Sequence, residues 1–416
     1  MGDGIILTSC QERAYSALQG SDNVFVTGGA GSGKSFLVRY FLRGKDTKEF
    51  PVLASTGAAA VLVGGRTFHS FFGLGIMEGG VEATVEKASR NRQVVRRLKK
   101  ISGFIVDEVS MLSGPTLKAA ELIARRVRES DLPWGGLRVV AVGDFAQLPP
   151  VERTTSATRG WAFLDPVWSW SGFQTCYLRT QTRCRDEDYM RILASIREGV
   201  VTAEVKAYLN GKVSKPAADF DGTRLFPRRD ETERFNLSRL ENLRSPAQRF
   251  ETIYSGDAKS VETLKKYAPV PESLILKEGA LVMLRQNDPI GRWVNGSTGH
   301  IEKIHPNRLQ ITLLNGRHIE IEKASFSLMS AEGETVAAAV NYPVTLAWAS
   351  TIHKAQGATL DRMAVNLSQL WEPGQAYVAL SRLTSGHELC IESWEERSIR
   401  VDPSVVRFYS DFSASH

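Results

Sequence analysis

Three short stretches of this chain carry residue types suited to handling phosphate. The first, Gly28-Gly29-Ala30-Gly31-Ser32-Gly33-Lys34-Ser35, reads G-x-x-x-x-G-K-S. Glycines let the backbone curl until its N–H groups point at phosphate oxygens. Lys34 would reach the β- and γ-phosphates of a nucleotide, and the Ser35 hydroxyl would hold Mg²⁺. The second, Phe104-Ile105-Val106-Asp107-Glu108, is an apolar run ending in paired carboxylates. Asp107 would hold the metal ion and Glu108 would polarise an attacking water. The third, Gly143-Asp144-Phe145-Ala146-Gln147-Leu148-Pro149-Pro150, offers Gln147 as a sensor of the γ-phosphate.

Each stretch needs a strand to deliver it. Val24-Phe25-Val26 runs into the loop, and Phe36, Leu37, Val38, Phe41 and Leu42 give the exit helix an apolar face. That strand–loop–helix context separates a phosphate loop from an ordinary glycine-rich turn. Val52-Leu53-Ala54 and Leu137–Val142 read as further buried strands, with Ser55–Ala60 opening one helix and another over 117–128. Polar residues at the carboxyl ends of several such strands define a doubly wound parallel sheet. The stretch 8–18 reads as a helix capped by Thr8 or Ser9, with Ala14, Tyr15 and Leu18 on its apolar face. Gln11 sits near its start; its amide can read an adenine edge, although taken alone it reads as a solvated side chain.

Further along, the Thr67-Phe68-His69-Ser70-Phe71-Phe72 run mixes donors for nucleic-acid phosphates with rings that either stack on bases or fill a core. Residues 73–91 read as an excursion off the sheet. The basic run Arg90, Arg92, Arg96, Arg97, Lys99, Lys100 is either a solvated helix face or a backbone contact. Trp161–Phe173 reads as a connector between lobes. Residues 204–273 carry little pattern beyond a strand at Arg224-Leu225-Phe226 and a helix over 232–243. From Gly279 the pattern changes to short alternating runs with Asn-Gly turns at 295–296 and 315–316, a hairpin signal that predicts a small β insert over 295–345. Thr351-Ile352-His353-Lys354-Ala355-Gln356-Gly357 follows, and a helix over 375–382 would place Arg382 on a surface.

The chain has 416 residues, 42% of them hydrophobic, and a net charge of +6. That is enough for two or more packed domains and is compatible with a polyanionic partner. Four scattered cysteines without C-x-x-C spacing argue against a zinc site or a disulfide framework. Neither a signal-peptide pattern nor a long apolar run is present, so an intracellular, soluble protein without a membrane partner is expected.

In order along the chain, the phosphate loop, S-T-G-A-A-A, T-F-H-S-F, D-E-V-S-M, G-D-F-A-Q-L-P-P-V, Q-T-R, V-N-G-S-T-G, W-A-S-T-I-H-K-A-Q-G and A-Y-V-A-L-S-R resemble the motifs of superfamily-one DNA helicases. The PIF (petite integration frequency) branch, whose members move 5′ to 3′, is the nearest match, and it covers nearly the whole chain. The resemblance implies two RecA-like lobes: 1A over 1–175, with a wedge insert 1B at about 73–97, and 2A over 176–294 and 346–416, with an SH3-like 2B insert over 295–345. It assigns adenine reading to Gln11, the phosphate and Mg²⁺ site to Gly29 through Ser35, and metal holding and catalysis to Asp107 and Glu108. Gln147 becomes the γ-phosphate sensor. Arg183 and Arg382 become arginines that the second lobe aims at the γ-phosphate. Thr56, Gly57, Thr67, His69, Thr351, His353 and Lys354 line the single strand, and Gln356 and Gly357 connect nucleotide and DNA sites. Implied cofactors are ATP and Mg²⁺. Implied partners are single-stranded and forked DNA, with G-quadruplexes and RNA–DNA hybrids as further substrates, in replication, repair or recombination; family members commonly act as monomers.

Other enzymes are compatible with parts of this pattern: a translocase or RNA-directed helicase of the same superfamily, or a clamp that binds ATP without turning it over. Glu108 argues against the clamp. A P-loop kinase or GTPase is disfavoured because an N-K-x-D-like guanine signal is missing.

Overall fold

The computed structural model describes residues 6–62, 66–150, 160–184, 186–217, 219–288, 290–330 and 334–413. Val151, which ends the G-D-F-A-Q-L-P-P-V motif, lies outside them. The chain divides into two units, one comprising residues up to Arg183 with Leu328–Thr335 and the residues from Phe408 on, the other comprising Cys184–Ser327 and Val336–Arg407.

In the first unit, α1 (Ser9–Gln19) precedes β1 (Val24–Gly28) and α2 (Lys34–Phe41). Next come β2 (Val52–Ala54), α3 (Gly57–Leu62), β3 (Arg66–Thr67), α4 (Phe68–Phe72), α5 (Gly80–Ser89) and α6 (Arg92–Lys100). Then follow β4 (Gly103–Asp107), α7 (Gly114–Arg128), β5 (Arg138–Val142), α8 (Pro166–Trp170) and β6 (Gln174–Leu178). The six strands form one sheet in the order β3-β2-β4-β5-β1-β6. Every pair in it is parallel, with Val26 opposite Val142 and Cys176, and Ala54 opposite Asp107. Parallel strands are buried on both faces, which is why these segments are unbroken apolar runs rather than alternating ones. Leu37, Phe41 and Leu18 pack against Val26, Ile105 and Val140 on one face. Phe68, Phe72, Phe104 and Trp134 interlock elsewhere in the unit, with ring centroids 4.8 to 6.3 Å apart.

Several expectations change here. Phe68, Phe71 and Phe72 are all fully buried, so none of them stacks on a base. Residues 80–89, within the stretch that reads as an excursion off the sheet, form a helix. Arg97, in the basic run, is buried and its guanidinium donates to the Ser70 and Phe71 carbonyls, closing the end of α4 instead of meeting a polyanion. Nor is Trp161–Phe173 a connector. Trp168 packs edge-on against Phe25 of β1 at 5.0 Å, and Phe145 meets Trp161 at 6.0 Å.

The second unit opens with α9 (Glu187–Arg197), α10 (Ala203–Gly211), β7 (Thr223–Phe226) and α11 (Arg229–Glu241). The poorly patterned region then supplies β8 (Gln248–Glu251), β9 (Ile253–Gly256), α12 (Ala258–Tyr267) and β10 (Ser273–Leu276). Next come β11 (Leu281–Leu284), β12 (Thr298–Ile304), β13 (Arg308–Leu313), β14 (His318–Glu322), β15 (Ala324–Met329), β16 (Thr335–Asn341) and β17 (Val344–Leu346). The unit closes with β18 (Ala349–Thr351), α13 (Ile352–Ala355), β19 (Met363–Asn366), α14 (Gln375–Leu380) and β20 (Leu389–Ser393), and α15 (Pro403–Ser413) is the last described element. Strands β18-β7-β19-β20 form a second parallel sheet. Strands β14-β13-β12-β11-β17 form an antiparallel sheet, which draws β11 from before the Asn295-Gly296 turn. Burial alternates strictly along β14, as one solvated face requires. Among the described residues, no helix is long and apolar enough to cross a membrane.

Candidate nucleotide site and nucleic-acid interface

The phosphate loop leaves β1 and enters α2 through two left-handed glycines, Gly31 at φ +81° and Gly33 at φ +88°. Both conformations favour glycine. Lys34 Nζ donates to the Gly28 and Gly29 carbonyls at 2.8 and 3.1 Å, so the ammonium rests on the loop it would leave for a phosphate. Ser32 Oγ is buried and finds no hydrogen-bond partner. A buried, unanswered hydroxyl in a glycine-rich loop fits a ligand rich in oxygen.

Gln11 is not solvated: it is 3% exposed. It occupies the third position of α1, where its Oε1 accepts from the Thr8 N–H at 3.0 Å and completes a capping box. Its Nε2 donates to the Ser32 carbonyl at 3.2 Å. A side chain at Gly33 would collide with that amide. The glutamine is thus held against the phosphate loop by the helix cap itself.

Arg183 differs from expectation in where it belongs. It is the last residue of the first unit's main segment, not part of the second unit. The residues after β6 fold onto the loop: Thr182 N and Oγ1 each donate to the Gly31 carbonyl at 2.9 Å, and Arg183 N does so at 3.3 Å. A Cβ on Gly31 would stand 2.7 Å from the Arg183 Cβ.

At the ends of β4 and β5 lie the acidic groups and the amide. Burial pushes the Asp107 carboxyl above its usual range, while the Glu108 N–H, Lys34 and Arg39 pull it back. The Glu108 N–H donates to Asp107 Oδ1 at 2.9 Å. Glu108 itself sits at φ 54°, ψ 47°, left-handed for a residue with a Cβ. Such conformations cost about 1–2 kcal/mol and gather at functional sites. Gln147 is buried, with Nε2 on Asp144 Oδ2 at 3.4 Å. Asp144 in turn accepts from the Tyr409 hydroxyl at 3.3 Å, and that hydroxyl also meets Thr27 Oγ1 and accepts the Phe145 N–H, each at 2.9 Å. Tyr409, which no sequence motif signals, thereby ties the strand entering the phosphate loop to the segment bearing Gln147.

The hard oxygens of Ser35 and Asp107 suit Mg²⁺, which takes one or two protein oxygens and fills its remaining positions with water and phosphate. The described residues contain no cluster of three or more His, Cys, Asp or Glu that would bind a metal by itself.

The threonines assigned to DNA share one local role. Thr56, Thr67 and Thr351 each end a strand or follow one, and each accepts from a backbone N–H three residues on: Ala59, Ser70 and Lys354, at 3.2, 3.1 and 3.1 Å. Capping uses an oxygen lone pair and leaves the hydroxyl proton to donate. Gly57 opens α3, and Gly357, at φ +76°, follows α13. Gln356 donates its N–H to the His353 carbonyl at 3.2 Å. Arg382 is not on a surface. It is 1% exposed, with Nε donating to the Val378 carbonyl and a terminal nitrogen to Ser381 Oγ, both at 2.7 Å.

A parallel sheet with a G-K-S loop, paired carboxylates and a glutamine at neighbouring strand ends defines a P-loop nucleotide-hydrolysing protein. A model of the PIF1-like helicase family matches residues 6–206. The ATP-dependent DNA helicase Pif1 of Bdellovibrio bacteriovorus is 52% identical, over 98% of this chain and 92% of its own length. The ATP-dependent DNA helicase PIF1 of Danio rerio is 34% identical over 97% of this chain, which spans 63% of that longer relative. A crystal structure of Bacteroides sp Pif1 in complex with ADP-AlF4 matches with a TM-score of 0.86 at 27% identity, covering 99% of this chain and 98% of the other. Bacteroides Pif1 bound to ssDNA matches at 0.65 and 27%, with the same coverage. The chain belongs to the PIF1-like helicase family, and its two parallel sheets are the RecA-like cores of that family.

Proposed function

We propose that this chain is an ATP-driven DNA helicase that moves 5′ to 3′ on single-stranded DNA and opens forked duplexes. The observation that carries the reading is the convergence at one sheet edge. Lys34 follows β1, Asp107 and Glu108 follow β4, and Gln147 follows β5, on strands that are direct neighbours in the order β4-β5-β1. Relatives named as ATP-dependent DNA helicases, and a relative solved with single-stranded DNA, supply the substrate.

In this reading ATP is the phosphoryl donor, and Ser35 and Asp107 would hold Mg²⁺, which would neutralise charge on the phosphate oxygens. Lys34 leaves the Gly28 and Gly29 carbonyls for the phosphates. Gln11 reads the base, Glu108 orients the water, and Gln147 answers to the γ-phosphate through its tie to Asp144. Arg183 and Arg382 stabilise charge developing on the transferred group, a contribution worth roughly 10³–10⁵ in rate in related sites. The hydroxyls of Thr56, Thr67 and Thr351, with Gly57, His69, His353 and Lys354, line the track, and Gln356 with Gly357 couples it to the nucleotide. The segment at about 73–97 serves as the strand-separating wedge (1B), and the sheet within 295–345 as the SH3-like 2B insert on the 2A lobe.

The test is multiple-turnover ATP hydrolysis with and without single-stranded DNA, for the wild type and for Glu108→Gln. DNA-stimulated turnover that falls about 10²–10⁴-fold in the variant is expected. A clamp that binds ATP without turnover gives neither.

A further inference from the structure

A positive charge stands unanswered inside the second unit. Arg285 directly follows β11, and its backbone N–H donates to the Pro343 carbonyl at 2.8 Å, fixing it beside the start of β17. The residue is 8% exposed. Among the described residues, its guanidinium has no carboxylate partner. Nη1 reaches the Met283 sulfur, a weak acceptor, at 3.3 Å, and Nε is buried without any partner. A guanidinium does not escape by losing its proton, so burial leaves a charge in need of an anion.

The chain brings two more cations toward it. From β17 it passes through β18 into α13, which carries Lys354 with its backbone N–H capped by Thr351. Helix α11, which begins at Arg229, is pinned to β18 because the Asn236 amide exchanges two hydrogen bonds with the Ala349 backbone, at 2.8 and 2.9 Å. Burial pulls the Lys354 ammonium below its usual range, Arg229 and Arg285 repel it further, and Glu233 alone opposes them. That Glu233 is already paired with Arg229 at 2.6 Å. Burial likewise brings Arg285 down to about 10. Three cations thus share one carboxylate.

We propose that Arg285, which lies outside every sequence motif, joins Lys354 in gripping one phosphodiester of the single strand. The proposal rests on the helicase reading. A phosphodiester suits the site because the guanidinium needs a full negative charge and its fork matches two phosphate oxygens, whereas a base offers only neutral acceptors.

The experiment measures binding of a fluorescent oligo(dT) strand across a salt series for the wild type, Arg285→Met and Arg285→Lys. Arg285→Met is expected to weaken binding about tenfold and to flatten the plot of log K against log salt by about 0.7, the value for one single-strand phosphate. Arg285→Lys should restore the slope, because it restores the charge. Scanning one neutral methylphosphonate linkage along the strand should reveal a position that weakens the wild type but not Arg285→Met. This double-mutant coupling separates a strand phosphate from a nucleotide phosphate. An unchanged salt slope in Arg285→Met, or an absence of coupling at every linkage, overturns the proposal. Failure of the wild type itself to bind oligo(dT) overturns the helicase reading instead.

Discussion

Glu108 holds a left-handed backbone immediately after Asp107, whose side chain accepts its N–H. In the proposed mechanism these two successive carboxylates act as metal holder and water-orienting base. Lys34 is the other single residue on which the proposed chemistry turns. Lys34→Ala should reduce ATP turnover by at least about 10²–10³, the usual loss of one preorganised donor, as read by steady-state phosphate release. The histidines give a pH prediction. Burial pulls both His69 and His353 below the ordinary 6.5, which favours their neutral forms near pH 7. Their folded forms resist protonation, and unfolding therefore takes up protons as pH falls below about 6.5. Stability should decline over that range, and the decline in urea midpoint between pH 7.5 and 5.5 should shrink in His69→Gln.

At the scale of elements, the strand–loop–helix around β1 is braced from three directions: by Gln11 of α1, by Thr182 after β6, and by Tyr409 of α15. Tyr409→Phe removes a hydroxyl that satisfies the buried Phe145 N–H and should cost about 1–3 kcal/mol in unfolding free energy. The apolar runs of β1, β4 and β5 were legible in the sequence because parallel strands bury both faces, and the motifs at their ends were legible with them. The bracing was not. Gln11 alone resembles any surface glutamine, and only the fold reveals that its helix cap faces the Ser32 carbonyl. Tyr409 lies 382 residues from Thr27. Arg382 was misplaced because a short helix pattern does not disclose what packs over its last turn. Strands β8 and β9 escaped notice because most of their side chains are exposed, leaving no apolar period to read.

At the scale of the molecule, two parallel sheets lie on one chain, with an antiparallel sheet formed within the second unit. The first unit carries the phosphate loop, and the second carries the T-I-H-K-A-Q-G segment and Arg382. The most direct measurement is strand displacement from duplexes bearing a 5′ or a 3′ single-stranded tail, with ATP and with a non-hydrolysable analogue. The account predicts unwinding of the 5′-tailed duplex, with ATP only. Unwinding of the 3′-tailed duplex alone, or equal unwinding with the analogue, would contradict it.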